Sequence, residues 1–177
     1  MLRTLFVSST FRDMHFERDV IHSKVVPAIN AISKQSVSVC DLRWGIDTSE
    51  MTENESAAKV LSVCLNEIDR SRPYMIVILG YRYGWMPGKE RIGATIREKE
   101  YIQLKDEDIS VTALEIEYGS LLDLNMIDHT LFYFREIDGD VDAIYQAEDN
   151  LHKKKLDALK KRIQSIPGTH VRSYHVK

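Results

Sequence analysis

Tyr74-Met75-Ile76-Val77-Ile78-Leu79 is the most apolar run in the chain, continuous rather than alternating. A strand that shows one face to water alternates polar with apolar; a run without polar positions suits a central strand covered on both faces, as parallel sheets require. Parallel neighbours need long crossovers, and these are usually helices, so this stretch decides the fold class. The flanks agree. Leu2 to Ser8 reads as a short buried strand that stops at Ser8-Ser9-Thr10, where hydroxyls compete for backbone hydrogen bonds. Val37 to Leu42 reads as a second strand, Thr130 to Phe134 as a fourth and Val171 to Val176 as a last one.

Helical patterns lie between them. Thr10 with Asp13 resembles a capping box, and Phe16, Ile21, Val25, Ala28, Ile29 and Ile32 approximate one helical face. Pro27 inside that pattern predicts a kink or break near Ser23 to Val26. Thr52 and Glu55 make a second capping box, opening a helix whose Val60, Leu61, Cys64, Leu65 and Ile68 share a face. Ser110 caps a helix expected to turn Leu114, Tyr118, Leu121 and Leu122 to the core, and a long helix is expected from about Asp140 to Gln164. Gly80 to Asp108 is the least regular segment, read as a long loop with a short helix near Ile96 to Leu104. Alternation of strand and helix predicts an α/β fold, an open, mostly parallel sheet of about five strands with helices on both faces.

Composition narrows the function. At 177 residues, 44% hydrophobic and 29% charged, the chain fits a single globular domain, 1–177. Cys40 and Cys64 form no disulfide framework, which suits a reduced, cytoplasmic setting. The apolar N-terminus is too short for a signal peptide, and no stretch approaches the roughly 20 apolar residues of a membrane span. A net charge of -3 lacks the basic excess of a nucleic-acid binder. Gly84 to Glu90 imitates a phosphate loop but has three residues between its glycines and no Ser or Thr after Lys89. No GxGxxG follows the first strand, the six histidines show no metal spacing, and no G-x-S-x-G elbow is present. Neither a metal nor a cofactor is expected. Ligands of such a sheet bind outside the carboxyl ends of its strands, here Ser8 to Asp13, Arg43 to Glu50, Gly80 to Gly88 and the helix start at Ser110.

Several blocks carry a resemblance. Phe6-Val7-Ser8-Ser9-Thr10-Phe11-Arg12-Asp13-Met14 with Glu17-Arg18-Asp19, then Asp41-Leu42-Arg43-Trp44-Gly45-Ile46, then Ile78-Leu79-Gly80-Tyr81-Arg82-Tyr83-Gly84-Trp85, together resemble the TIR-like N-terminal effector domain of NACHT/STAND-type signal-transducing NTPases. That family includes bacterial defence proteins and relatives in telomerase-associated protein and nephrocystin. Leu131 to Arg135 and the basic helix before His170 resemble its end, so the likeness spans nearly the whole chain. It implies a flavodoxin-like TIR fold and a domain excised from a longer NTPase.

The resemblance also implies chemistry. TIR enzymes carry a catalytic glutamate in a pattern similar to S-x-W-C-x-x-E-L; Glu115 stands at the matching place, with Val111 and Thr112 where the family has an aromatic and a cysteine, and Glu117 is the reserve candidate. The reaction would be hydrolysis of the nicotinamide N-glycosidic bond of NAD, which is substrate rather than cofactor. Nicotinamide leaves a cationic glycoside as a neutral ring, so one carboxylate suffices where ordinary glycosidases need two. Ser8, Ser9, Arg12, Arg43 and Arg82 would bind substrate, the arginines its phosphates, with Trp44, Tyr83 and Trp85 stacking on its rings. Partners would be the chain's own NTPase and sensor domains and, on activation, further copies of itself.

Competing readings stay open beside these. Arg12 and Asp13 would simply pair with the backbone, Arg18 or Asp19; Trp44 and Trp85 would close a core edge; Lys153 to Lys155 and Lys160 to Arg162 would be the wet face of a helix. At the level of function the alternative is a non-catalytic assembly or adaptor module, since fold does not choose. Nucleoside glycosyl transfer is a third, weaker reading.

Overall fold

The computed structural model describes residues 2–34, 36–42, 49–98 and 108–177. Five strands, β1 (Leu2–Ser8), β2 (Ser36–Cys40), β3 (Met75–Leu79), β4 (Thr130–Ile137) and β5 (His170–Val176), form one parallel sheet in the order β2-β1-β3-β4-β5. This is a flavodoxin-like α/β arrangement, with the change of winding direction between β1 and β3. The apolar run that decided the class is the middle strand, and every residue of β3 is buried.

Period-two alternation sorts that burial onto the two faces. Phe6, Met75, Val77, Leu79, Phe132 and Phe134 meet the main core, closed by α3 (Glu53–Ser71), α5 (Val111–Ile116) and α7 (Asn150–Ser165). Leu5, Val7, Ile76 and Ile78 point the other way, to Met14 and Ile21. That second face is covered by α1 (His15–Val20), a π-helical stretch (Ile21–Val25) and α2 (Val26–Ile32).

Several boundaries differ from the sequence reading, each for a local reason. The first helix begins at His15 rather than at Thr10, because the Thr10 hydroxyl donates to the Asp13 carboxylate at 2.5 Å instead of capping a helix. The α-helical run is interrupted by the π-helical stretch Ile21–Val25, where a kink or break was expected, and Pro27 follows it in the first turn of α2, where its missing N–H is tolerated. Of the expected apolar face, Ile21 is buried, whereas Phe16 and Ile32 are 74% and 88% exposed. Thr52 and Glu55 do form a reciprocal capping box. The helix read near Ile96 to Leu104 is α4 (Lys89–Glu98), an earlier start, and residues 99–107 lie outside the described ones.

Ser110 accepts from the Ala113 amide as the cap of α5, which runs on through a π turn (Glu117–Leu121) into α6 (Leu124–Ile127); Leu122, expected in the core, is 40% exposed. The long helix starts at Asn150 under an Asp149 cap, leaving 138–149 as a strap across the carboxyl edge of the sheet, with a single 3-10 turn at Ala143–Tyr145. Among the described residues no helix is long and apolar enough to cross a membrane.

Candidate active site

β1 ends at Ser8, wholly buried, and its hydroxyl donates to Glu115 Oε2 at 2.6 Å. Glu115 is held there by the geometry of α5: Ser110 starts the helix, Ala113, Leu114 and Ile116 turn to the core, and Glu115 falls beside that stripe, 5% exposed. The Cys64 thiol of α3 donates to the same carboxylate, and the charge of Arg18 faces it. Burial outweighs these three stabilising contacts and pushes the Glu115 carboxyl up to about 7. Burial first, and the Glu115 carboxylate after it, raise the Cys64 thiol, and burial with Glu67 alongside pushes Cys40 up to about 12, so both are neutral thiols.

Glu115 lines a cavity of about 350 Å3 at the carboxyl edge of β1 and β3. Ser9, Arg12, Arg82 and Trp85 line it as well, so the fold brings five of the residues singled out in the sequence to one place. Trp85 is half exposed at the mouth, and its carbonyl accepts from the Val111 amide at 2.9 Å, tying the loop after β3 to the start of α5. Gly84 makes that approach feasible: its φ of +94° suits glycine, and a Cβ there would come within 3.1 Å of Thr10 Cγ2.

The remaining residues are placed differently. Ser8 reaches the cavity only through Glu115. Tyr83 is buried in the main core, its ring edge-on to His152, and does not line the cavity. Glu117 points elsewhere, to Arg162 at 2.6 Å. Arg82 is held by Glu148 at 3.0 Å and by the Gln146 carbonyl, whereas Arg12 is exposed and has no ion-pair partner among the described residues. Arg43 and Trp44 lie outside the described residues.

Two buried networks were not read from the sequence. Arg18, 1% exposed, donates to Ser9 Oγ at 2.9 Å and to the Ser9 carbonyl at 3.1 Å, pairs with Asp41, and lies 4.7 Å from the Phe11 ring centroid. It therefore fixes the loop that carries Ser9 and Arg12. Asp13 pairs not with Arg18 or Asp19 but with Arg135 at 2.8 Å, which also meets Glu17 at 3.0 Å; burial raises the Asp13 carboxyl despite the Thr10 hydrogen bond and the Arg135 charge. Glu148, from the strap, accepts from the Tyr83 and Gly84 amides. In the basic helix Lys160 is not on the wet face; its ammonium lies over the Tyr81 and Phe134 rings, and desolvation there lowers its pKa.

Fold and cavity together define a flavodoxin-like domain with a buried, hydrogen-bonded carboxyl, Glu115, in a cavity at the winding switch point. The chain belongs to the family described as Domain of unknown function (DUF4062), whose pattern matches residues 4–176. It is 45% identical over 86 residues to telomerase protein component 1 of Rattus norvegicus and of Mus musculus, a match covering 47% of this chain and 3% of each relative. It is 29% identical over 184 residues to a TPR repeat-containing protein of Dictyostelium discoideum, covering 92% of this chain and 11% of the relative. This chain thus corresponds to a small part of far longer proteins. No solved structure matches it.

Proposed function

We propose that this chain is a TIR-like effector domain of a longer STAND-type NTPase, hydrolysing the nicotinamide N-glycosidic bond of NAD when that parent protein oligomerises, in defence or cell-death signalling. The observation that carries this reading is Glu115, a buried carboxyl held by Ser8 and Cys64 at the base of a cavity whose rim bears Arg12 and Trp85.

The chemistry follows from that geometry. The C1′–N1 bond breaks, its electron pair goes to the pyridinium nitrogen, and nicotinamide leaves neutral. The cationic sugar left behind is stabilised by the Glu115 carboxylate, whose charge counts for more in a water-poor cavity. Water then attacks C1′ and loses a proton, giving ADP-ribose. A cationic substrate beside Glu115 favours its ionised form, so the active state is reached on binding even though the free carboxyl titrates near 7.

The test is nicotinamide release from NAD by the chain clustered at high local concentration, with Glu115→Gln and Glu117→Gln alongside. Loss in the Glu115 variant alone is expected. A folded, clustered wild type that leaves NAD intact would sink the hydrolase reading and leave the assembly module.

A further inference from the structure

A second cavity, about 490 Å3, opens on the same carboxyl edge, at the ends of β4 and β5. The same two chain segments wall both spaces. Ser9 to Arg12 and Glu148 line the first; Arg12, Asp13 and His15 to Glu17, with Asp140 to Tyr145 of the strap, wall the second, and Arg12 faces both.

We propose that the two cavities are the halves of one dinucleotide groove, the second taking the adenosine end of NAD and Arg12 the pyrophosphate between them. This rests on the NAD reading of the Glu115 cavity and extends it to the rest of the substrate.

The lining has the chemistry that an adenosine requires. A purine needs flat apolar walls, and Phe16 and Ile144 stand 74% and 43% exposed with nothing covering them among the described residues. Tyr145 supplies a ring already fixed on one side by the Arg135 guanidinium at 4.8 Å. A ribose diol needs carboxylate acceptors. Asp13 and Glu17 are engaged by Arg135, whereas Asp140 and Asp142 are exposed at the rim. Phosphate needs an uncommitted guanidinium. Arg82 is committed to Glu148 and Arg135 to Asp13, which leaves Arg12 among the described residues that line the two cavities.

The test is titration of this chain with AMP and with nicotinamide mononucleotide, followed by backbone amide NMR. AMP is expected to move the amides of Phe16, Asp142 and Tyr145, and nicotinamide mononucleotide those of Thr112 and Glu115. Phe16→Ala combined with Asp142→Asn, both exposed positions, should weaken AMP about tenfold and raise KM for NAD by a similar factor. AMP shifts centred on Thr112 and Glu115, or AMP affinity indifferent to the double variant, would overturn the proposal. AMP seated in the second cavity with no nicotinamide release from NAD would keep the subsite and reject the hydrolase; nicotinamide release with a KM for NAD indifferent to the double variant would do the reverse.

Discussion

The Ser8 hydroxyl donates to Glu115 Oε2 at 2.6 Å, joining the last residue of the first strand to the second turn of α5 across 107 positions of sequence. A hydrogen bond to the charged form favours that form, and it is one of three interactions opposing the burial that raises Glu115 to about 7. Ser8→Ala removes it. On the proposed NAD reading, the acid limb of kcat/KM for NAD, which reports the unliganded protein, should therefore move to higher pH by about one unit, with activity at pH 8.5 largely retained. A pH–rate profile checks this; a limb that stays near 7 would mean that Ser8 does not act on the carboxylate.

Glu115→Gln should stabilise the fold while abolishing turnover. Burial pushes the native carboxyl up to about 7 from the ordinary 4.5 of a glutamate, so the fold prefers it neutral. Its contribution to stability is complete below about 4.5 and is lost as pH rises through about 7. Ionising it in place costs no more than about 3–4 kcal/mol at pH 8, at about 1.36 kcal/mol for each pH unit between 4.5 and 7. The variant should thus melt several degrees above wild type at pH 8 and close to it at pH 5, as thermal denaturation at the two pH values would show.

How much of this was legible in the sequence depends on range. The class of fold came from β3, whose burial on both faces leaves no polar position to misread, and the Thr52–Glu55 cap is a three-residue signal that local chemistry determines. That Glu115 sits beside the core stripe of its helix was legible because the Ser110 cap and the apolar pattern set its register. Arg18 was not, because its partners Val7, Ser9 and Asp41 are brought to it by the sheet, and no spacing announces a buried guanidinium. Arg135 and Asp13 are likewise 122 positions apart. Tyr83 misled for the opposite reason: an aromatic between Arg82 and Gly84 looks like rim, yet the chain turns there and sends its ring into the core.

Arg18→Ala should be among the most damaging single changes. It takes the guanidinium partner from Asp41, whose side chain is 2% exposed, and removes the Arg18 bonds to the Ser9 hydroxyl and carbonyl. Breaking a buried pair from one side typically costs about 3–5 kcal/mol. Urea unfolding should show that loss. Arg18→Ala with Asp41→Asn should recover part of it, because no uncompensated buried charge remains.

Glu148 offers a test of opposite sign to Ser8. It accepts from the Tyr83 and Gly84 amides at 3.1 and 3.2 Å and neutralises Arg82, which lines the cavity with Glu115. Glu148→Ala removes a negative charge from the cavity wall and frees a positive one. Both changes favour the Glu115 carboxylate, so the acid limb of kcat/KM should shift to lower pH, by roughly half a unit given solvent screening at the mouth. Two amides lose their acceptor, and stability should fall by about 1–2 kcal/mol. Glu148→Gln keeps an acceptor for one amide and should recover part of the stability without restoring the limb, which separates the charge of Glu148 from its role in holding the loop.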